Sequence, residues 1–128
     1  MNYSNYIGRK GEDTVAEFLR SKGYFIAARN FKSAHGEIDV IAENEKFVLF
    51  VEVKVRSFDA GYFPNEAVTY AKKQHIIYTA KNYIYKSHTH LIPRFDIAEI
   101  IVGEDGKIEN GEFNYYKNAF EVKGNEFY

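Results

Sequence analysis

Residues 36–56 read GEIDVIAENEKFVLFVEVKVR, and this stretch decides the fold. It divides into two strands, residues 37–42 and 47–55, joined by a tight polar turn. Both are rich in the β-branched and aromatic residues that suit a pleated, buried surface. Within this apolar material stand Glu37, Asp39, Glu52 and Lys54. Charges placed in a core are costly unless they are paired or bound to a metal. Side chains alternate along a strand, so Glu37 and Asp39 share one face, as do Glu52, Lys54 and Arg56. A two-residue turn at Asn44 and Glu45 sets Glu37 opposite Glu52 and Asp39 opposite Phe50, with every charged group on one side of the sheet. A slip of one residue would part the two sets. Carboxylates converging beside one lysine make a poor core and a good seat for a divalent cation.

The chain has 128 residues, 45% hydrophobic and 27% charged, which fits one globular domain with a substantial core. Its 11 Tyr and 11 Phe, with no Trp, read first as aromatic core packing. The lack of cysteine excludes disulfides and thiolate metal sites. No apolar run approaches the ~20 residues that span a bilayer, and the N-terminus has no secretory apolar segment, so a soluble cytoplasmic protein is expected. The formal net charge is -1. The acidic excess falls in residues 99–128, and residues 1–98 are net basic although they include Glu12, Glu37, Asp39 and Glu52. A bound cation would offset those four, leaving a moderately basic body compatible with phosphate contacts.

Outward from the hairpin, a first helix is expected over residues 6–22, with Ile7, Gly11, Val15, Phe18 and Leu19 on one stripe. Gly23 follows as its C-terminal stop. Glu12 borders the apolar stripe; the other reading of it is a solvated acid favoured by the helix dipole. Gly8 and Gly11 each cost roughly 1 kcal/mol relative to Ala, which suggests close approach of a strand or a phosphate backbone. Residues 24–31 read as a strand. A loop over residues 57–65 with Gly61 and Pro64 is placed to cover the site. A second helix follows over 66–86, then a strand over 94–102, a turn at 103–106 and a short strand over 107–109. Tyr115, Tyr116 and Phe120 are candidates to fold back on the core, and residues 120–128 read as a frayed tail. The order α-β-β-β-α-β implies an α/β, or α+β-like, mixed sheet with helices packed on its faces.

Asp39 and Glu52 are the expected ligands of Mg²⁺ or Mn²⁺, with the backbone carbonyl of Val53 as a further ligand and Glu37 or Glu12 as additional acids. Such an ion acidifies a bound water and stabilises charge on a phosphate. Lys54, on the same face as Glu52, can orient the attacking water or neutralise developing charge. Arg56, with its planar fork, and Lys72 and Lys73 in the second helix are candidate phosphate contacts. The competing reading of the same residues is a cross-strand ion network, with a solvated face on the second helix. For His35, His75, His88 and His90 a solvated role is expected, and for Asp96 a pairing with Arg94.

At these residues the chain resembles a known family. Asp39 followed by Glu52-Val53-Lys54 is similar to the motif of the PD-(D/E)XK nuclease superfamily, with Ile38 where that name carries Pro. Closer still is the YraN family of small bacterial proteins. Its blocks stand here as Gly8-Arg9-Lys10-Gly11-Glu12, Gly23-Tyr24, Arg29-Asn30, Gly36-Glu37-Ile38-Asp39, Phe50-Val51-Glu52-Val53-Lys54-Val55-Arg56 and Arg94-Phe95-Asp96. They span about residues 6–120, and they are shared in part with archaeal Holliday-junction resolvases. The resemblance implies a restriction-endonuclease-like core in one nuclease-like domain, residues 1–128, and metal-dependent cleavage of DNA, including branched DNA. It implies Asp39, Glu52 and Lys54 as catalytic residues, Glu12 as an acid supplied by the first helix, and Gln74 as an accessory polar residue. By analogy with resolvases it also implies a homodimer. Two other readings remain open: a nucleic-acid-binding or assembly module that keeps the fold without cutting, and an interaction domain using Tyr115, Tyr116 and Phe120.

Overall fold

The structure, a computed structural model, describes residues 3–59 and 69–121. Five strands form one sheet in the order β1-β2-β3-β4-β5: β1 (Phe25–Ser33), β2 (Gly36–Glu43), β3 (Phe47–Arg56), β4 (Ile92–Ile101) and β5 (Glu112–Tyr116). The β3–β4 pair is parallel and the other neighbours are antiparallel. Helix α1 (Tyr3–Ser21) precedes β1, and α2 (Tyr70–Ser87) connects β3 to β4. This is the expected mixed sheet with two helices, compatible with a restriction-endonuclease-like α+β fold. No helix among the described residues is long and apolar enough to cross a membrane. Most of the expected loop over the site, the first turn expected for the second helix (66–68) and residues 122–128 lie outside the described residues.

The alternation of the central strands fills both faces of the sheet. Ile41, Val48, Phe50 and Phe95 meet Ile76, Ile77, Ala80 and Ile84 of α2. Val40, Ala42, Leu49, Val51, Ala98 and Ile100 meet Val15 and Leu19 of α1. At Gly11 the close approach expected from the sequence is to a strand: a Cβ there would stand 2.7 Å from Val55 Cγ2. The helix stops where Gly23 turns to φ +91°, letting the Gly23 and Tyr24 N–H groups donate to Arg20 and Leu19 carbonyls. Thr69 caps α2 by accepting from the Lys72 N–H at 3.2 Å.

The hairpin register departs from expectation by two residues. Asn44 Oδ1 accepts from the N–H groups of Lys46 and Phe47, at 2.9 and 2.7 Å, so the side chain organises a turn longer than two residues. Glu43 therefore faces Val48, and Val40 faces Val51. An even shift preserves which face each side chain takes, so the shared face of the charges survives.

The C-terminal region also differs. The short strand expected over 107–109 is instead a 3₁₀ turn (Ile108–Asn110), organised by Asp105, which accepts from the Lys107 N–H and the Asn110 amide. The fifth strand follows it, and Phe113 and Tyr115 pack against Phe18 of α1. Phe120, expected at the start of a frayed tail, is buried and stacks on Phe95 with ring centroids 4.9 Å apart. With Phe120 buried and Tyr115 half-buried, two of the three aromatics proposed for an interaction surface serve the core. Asp96 holds this region in place. It is fully buried and accepts from Arg94, from the Tyr115 hydroxyl at 2.6 Å and from the Asn118 N–H at 2.9 Å. Asp96→Ala would strand the Arg94 guanidinium. Urea denaturation is expected to show a loss of about 3–5 kcal/mol.

Candidate functional site

The β2–β3 ladder runs from Glu43/Val48 to Val40/Val51 and ends there. Beyond that point β2 stays paired to β1, with Ile38 against Phe31, and β3 stays paired to β4. The Val53 N–H would lack a partner where the strands part, and the Asp39 carboxylate supplies one: Oδ2 accepts it at 2.8 Å. In an extended strand a residue's N–H and C=O face the same edge, so the Val53 carbonyl is turned toward Asp39 as well.

The face of the sheet toward α2 carries a cleft of about 400 Å³ at this parting, lined by Gly36, Glu37, Asp39 and Glu52 from the strands and by Thr69, Ala71, Lys72, His75 and Ile76. Glu52 is buried, Asp39 half-buried and Glu37 exposed. The Lys72 ammonium, reaching down from the first turn of α2, lies 2.6 Å from Glu52 Oε1, and Lys54 lies 3.6 Å from the same oxygen. Glu12 is elsewhere. It stands on α1, across the sheet, in a neighbouring groove lined also by Asn5, Gly8, Arg9, Asn30, Lys32 and Glu37. Its Oε1 accepts from the Asn30 amide at 3.2 Å and meets Arg29 at 3.4 Å, so it is anchored rather than simply solvated. Glu37 lines both hollows.

The charges act on one another. Burial, then the negative charges of Glu52, Glu12 and Glu37, push the Asp39 carboxyl up to about 7, against the lowering effect of the Val53 N–H. Burial, the neighbouring Lys72 ammonium and Arg56 lower Lys54, with Glu52 opposing. Burial alone would lower Lys72 also, but its bond to Glu52 holds it above the ordinary value.

The remaining sequence-selected residues separate. Arg56 lies beside the buried Glu99 of β4, Nε to Oε2 3.8 Å, and Glu99 also accepts from Asn114. Lys73 lies over the Phe120 ring, and Gln74 is exposed; neither lines the cleft. The face of α2 that does line it offers Lys72, one of the expected phosphate contacts, together with His75. The reason is phase: with Thr69 as the cap, positions 72, 75 and 76 turn toward the sheet. His75 packs near His35, which in turn meets Tyr78 edge-on. The sequence signal available for it was its three-residue spacing from Lys72.

Among the described residues no three His, Asp or Glu side chains are gathered tightly enough to form a closed metal site. The donors at hand suit a hard cation of the Mg²⁺ type, which takes one or two carboxylates and completes its shell with water and phosphate. Asp39 and Glu52 would hold it, with the Val53 carbonyl on the same edge. The Asp39 carboxyl is raised first by burial and then by neighbouring negative charge, which such an ion would offset.

An α/β domain of this topology with an acidic cleft at the parting of two central strands defines the class. The chain matches the model of the Uncharacterised protein family UPF0102 over residues 11–100. It is 39% identical to a UPF0102 protein of Clostridium botulinum (strain Loch Maree / Type A3) over 128 residues, covering 95% of this chain and 100% of that relative. It is likewise 39% identical to a UPF0102 protein of Clostridium perfringens over 122 residues, covering 94% and 98%. The chain belongs to the UPF0102 family, the YraN family of the sequence resemblance.

The Asp39 charge sets a pH-dependent stability. The folded carboxyl titrates near 7 against 3.8 for the free group, so the unfolded chain loses its proton first as pH rises. Stability is lost between those values and the loss is complete above 7. Asp39→Asn keeps an acceptor for the Val53 N–H and removes the charge. Denaturation without divalent ions is expected to find the variant equal to wild type near pH 4 and more stable at pH 8, by about 2 kcal/mol once solvent screening is allowed for.

Proposed function

We propose that this protein is a Mg²⁺- or Mn²⁺-dependent endonuclease that hydrolyses phosphodiester bonds in DNA, with branched DNA as the substrate that its likeness to junction resolvases favours. The observation that carries the reading is the convergence of the Asp39 and Glu52 carboxylates where β2 and β3 part, beside Lys54 and Lys72. A cation bound there would acidify a water and offset charge on the phosphate. Asp39 and Glu52 hold and orient that ion. Water attacks phosphorus and gives up a proton, a phosphorus–oxygen ester bond breaks, and the departing oxygen takes up a proton. Lys54, with its affinity for a proton lowered, is suited to orient the water and exchange that proton. Lys72, at the mouth of the cleft, can move from Glu52 to a phosphate oxygen once an ion takes over the carboxylate. On the same likeness, two copies would act on the two equivalent strands of a four-way junction.

A second reading has its own support. The Lys72 ammonium already sits on Glu52, and the described residues hold no closed three-ligand cluster. Both suit a nucleic-acid-binding or assembly module that retains the fold without cutting.

Cleavage of fluorescent linear and four-way-junction DNA in Mn²⁺ separates the two. Wild type is expected to cut, and Asp39→Ala and Glu52→Ala to lose activity by about 10²-fold or more with the fold intact by circular dichroism. Lys54→Ala is expected to lose a similar factor while still retaining DNA. Cleavage persisting in both acid variants would remove the site assignment; tight, salt-sensitive binding with no cleavage by wild type would select the second reading.

A further inference from the structure

The groove beside α1 contains a glycine for which the fold gives no reason. Gly8, Arg9 and Glu12 face Asn30 and Lys32 of β1 across a hollow of about 770 Å³ that shares Glu37 with the acidic cleft. Gly8 lies inside α1, where glycine lowers helix stability. Its φ is not in the left-handed region, which among the described glycines only Gly23 and Gly106 occupy. A Cβ built on Gly8 meets nothing within 4 Å, whereas Gly11, on the sheet-facing side, has Val55 in the way. Neither conformation nor internal packing therefore excludes a side chain at position 8.

The groove is lined by two cations, Arg9 and Lys32, and two acids, Glu12 and Glu37. Among the described residues Arg9 and Lys32 form no ion pair, while Lys10 is paired with Glu109 and Arg29 with Glu12 and Asp13. Glu12 is thereby held to β1 by Arg29 and Asn30. Gly8, Arg9 and Glu12 share one helix face by their spacing, so the glycine is a gap in a wall flanked by two cations.

We propose that this groove takes the sugar–phosphate backbone of a DNA strand running on from the acidic cleft. Arg9 and Lys32 hold its phosphates, and the absent side chain at Gly8 lets the backbone lie against the helix. The proposal rests on the nucleic-acid reading above but needs no cleavage. It makes Gly8 a residue kept at the expense of helix stability, so substitution there should strengthen the fold and weaken binding.

The test uses the full chain and a fluorescein-labelled DNA duplex, with Ca²⁺ in place of Mn²⁺ and binding read by anisotropy across a salt series. Gly8→Ala and Gly8→Gln are expected to raise the urea midpoint and to bind more weakly, by about tenfold for Gln, through blocked phosphate contacts. Arg9→Ala combined with Lys32→Ala is expected to lower the slope of log affinity against log salt by about 2. Wild-type affinity in both Gly8 variants, or an unchanged salt slope in the double variant, would overturn the proposal. DNA cleavage by wild type together with undiminished binding by these variants would remove the groove and leave the nuclease. Weakened binding by the variants, with no cleavage by any protein, would do the reverse.

Discussion

The parting of β2 from β3 is the constraint on which the rest of the site depends. A sheet cannot leave a buried N–H unpaired without cost, so the strands can separate after Val40 and Val51 only if something else accepts from Val53. Asp39 does so, which fixes its carboxylate within the edge of the sheet and half out of water. Glu52 is then buried beside it by the same alternation that buries Phe50 one step earlier. A structural need for an acceptor and a chemical capacity to hold a cation are met by the same carboxylate.

That arrangement carries an imbalance of charge. Three further acids act on Asp39, and the two lysines nearby both meet a single oxygen of Glu52. Burial, and then the neighbouring Lys72, make Lys54 give up its proton more readily, while Lys72 is held charged by its pair with Glu52. A hard divalent ion would relieve both strains at once, neutralising the carboxylates and releasing Lys72 toward solvent and phosphate. The ion network expected as the alternative is thus present, and it occupies the donors that the metal reading needs. The two readings describe one set of contacts with different occupants.

Much of this was legible in the sequence, and the parts that were not have particular physical causes. Strand alternation carried the faces of Asp39, Glu52 and Lys54 without knowledge of the turn, because a shift of two residues leaves every side chain on its own side. The turn itself was misread because the Asn44 side chain, rather than backbone alone, closes it. Helix α2 is legible, but its phase depends on the cap at Thr69; hence Lys72 of the expected contacts lines the cleft, with His75 in place of Gln74. Strand β5 was missed because a polar turn and a 3₁₀ segment separate it from β4, and its alternation, Phe113 and Tyr115, is only two side chains deep. Arg56, a candidate phosphate contact, lies beside Glu99, a partner brought alongside only by the parallel pairing of β3 with β4.

The central claim is that the Asp39 and Glu52 pair is a cation site. Calorimetric titration of Mn²⁺ at pH 8 into wild type and Glu52→Gln, with a DNA duplex present in both, tests it most directly. The account predicts saturable binding by wild type that is lost in Glu52→Gln. Absence of a binding signal in wild type, or equal binding by the two proteins, would contradict it and leave the acids as a charge network closed by Lys72.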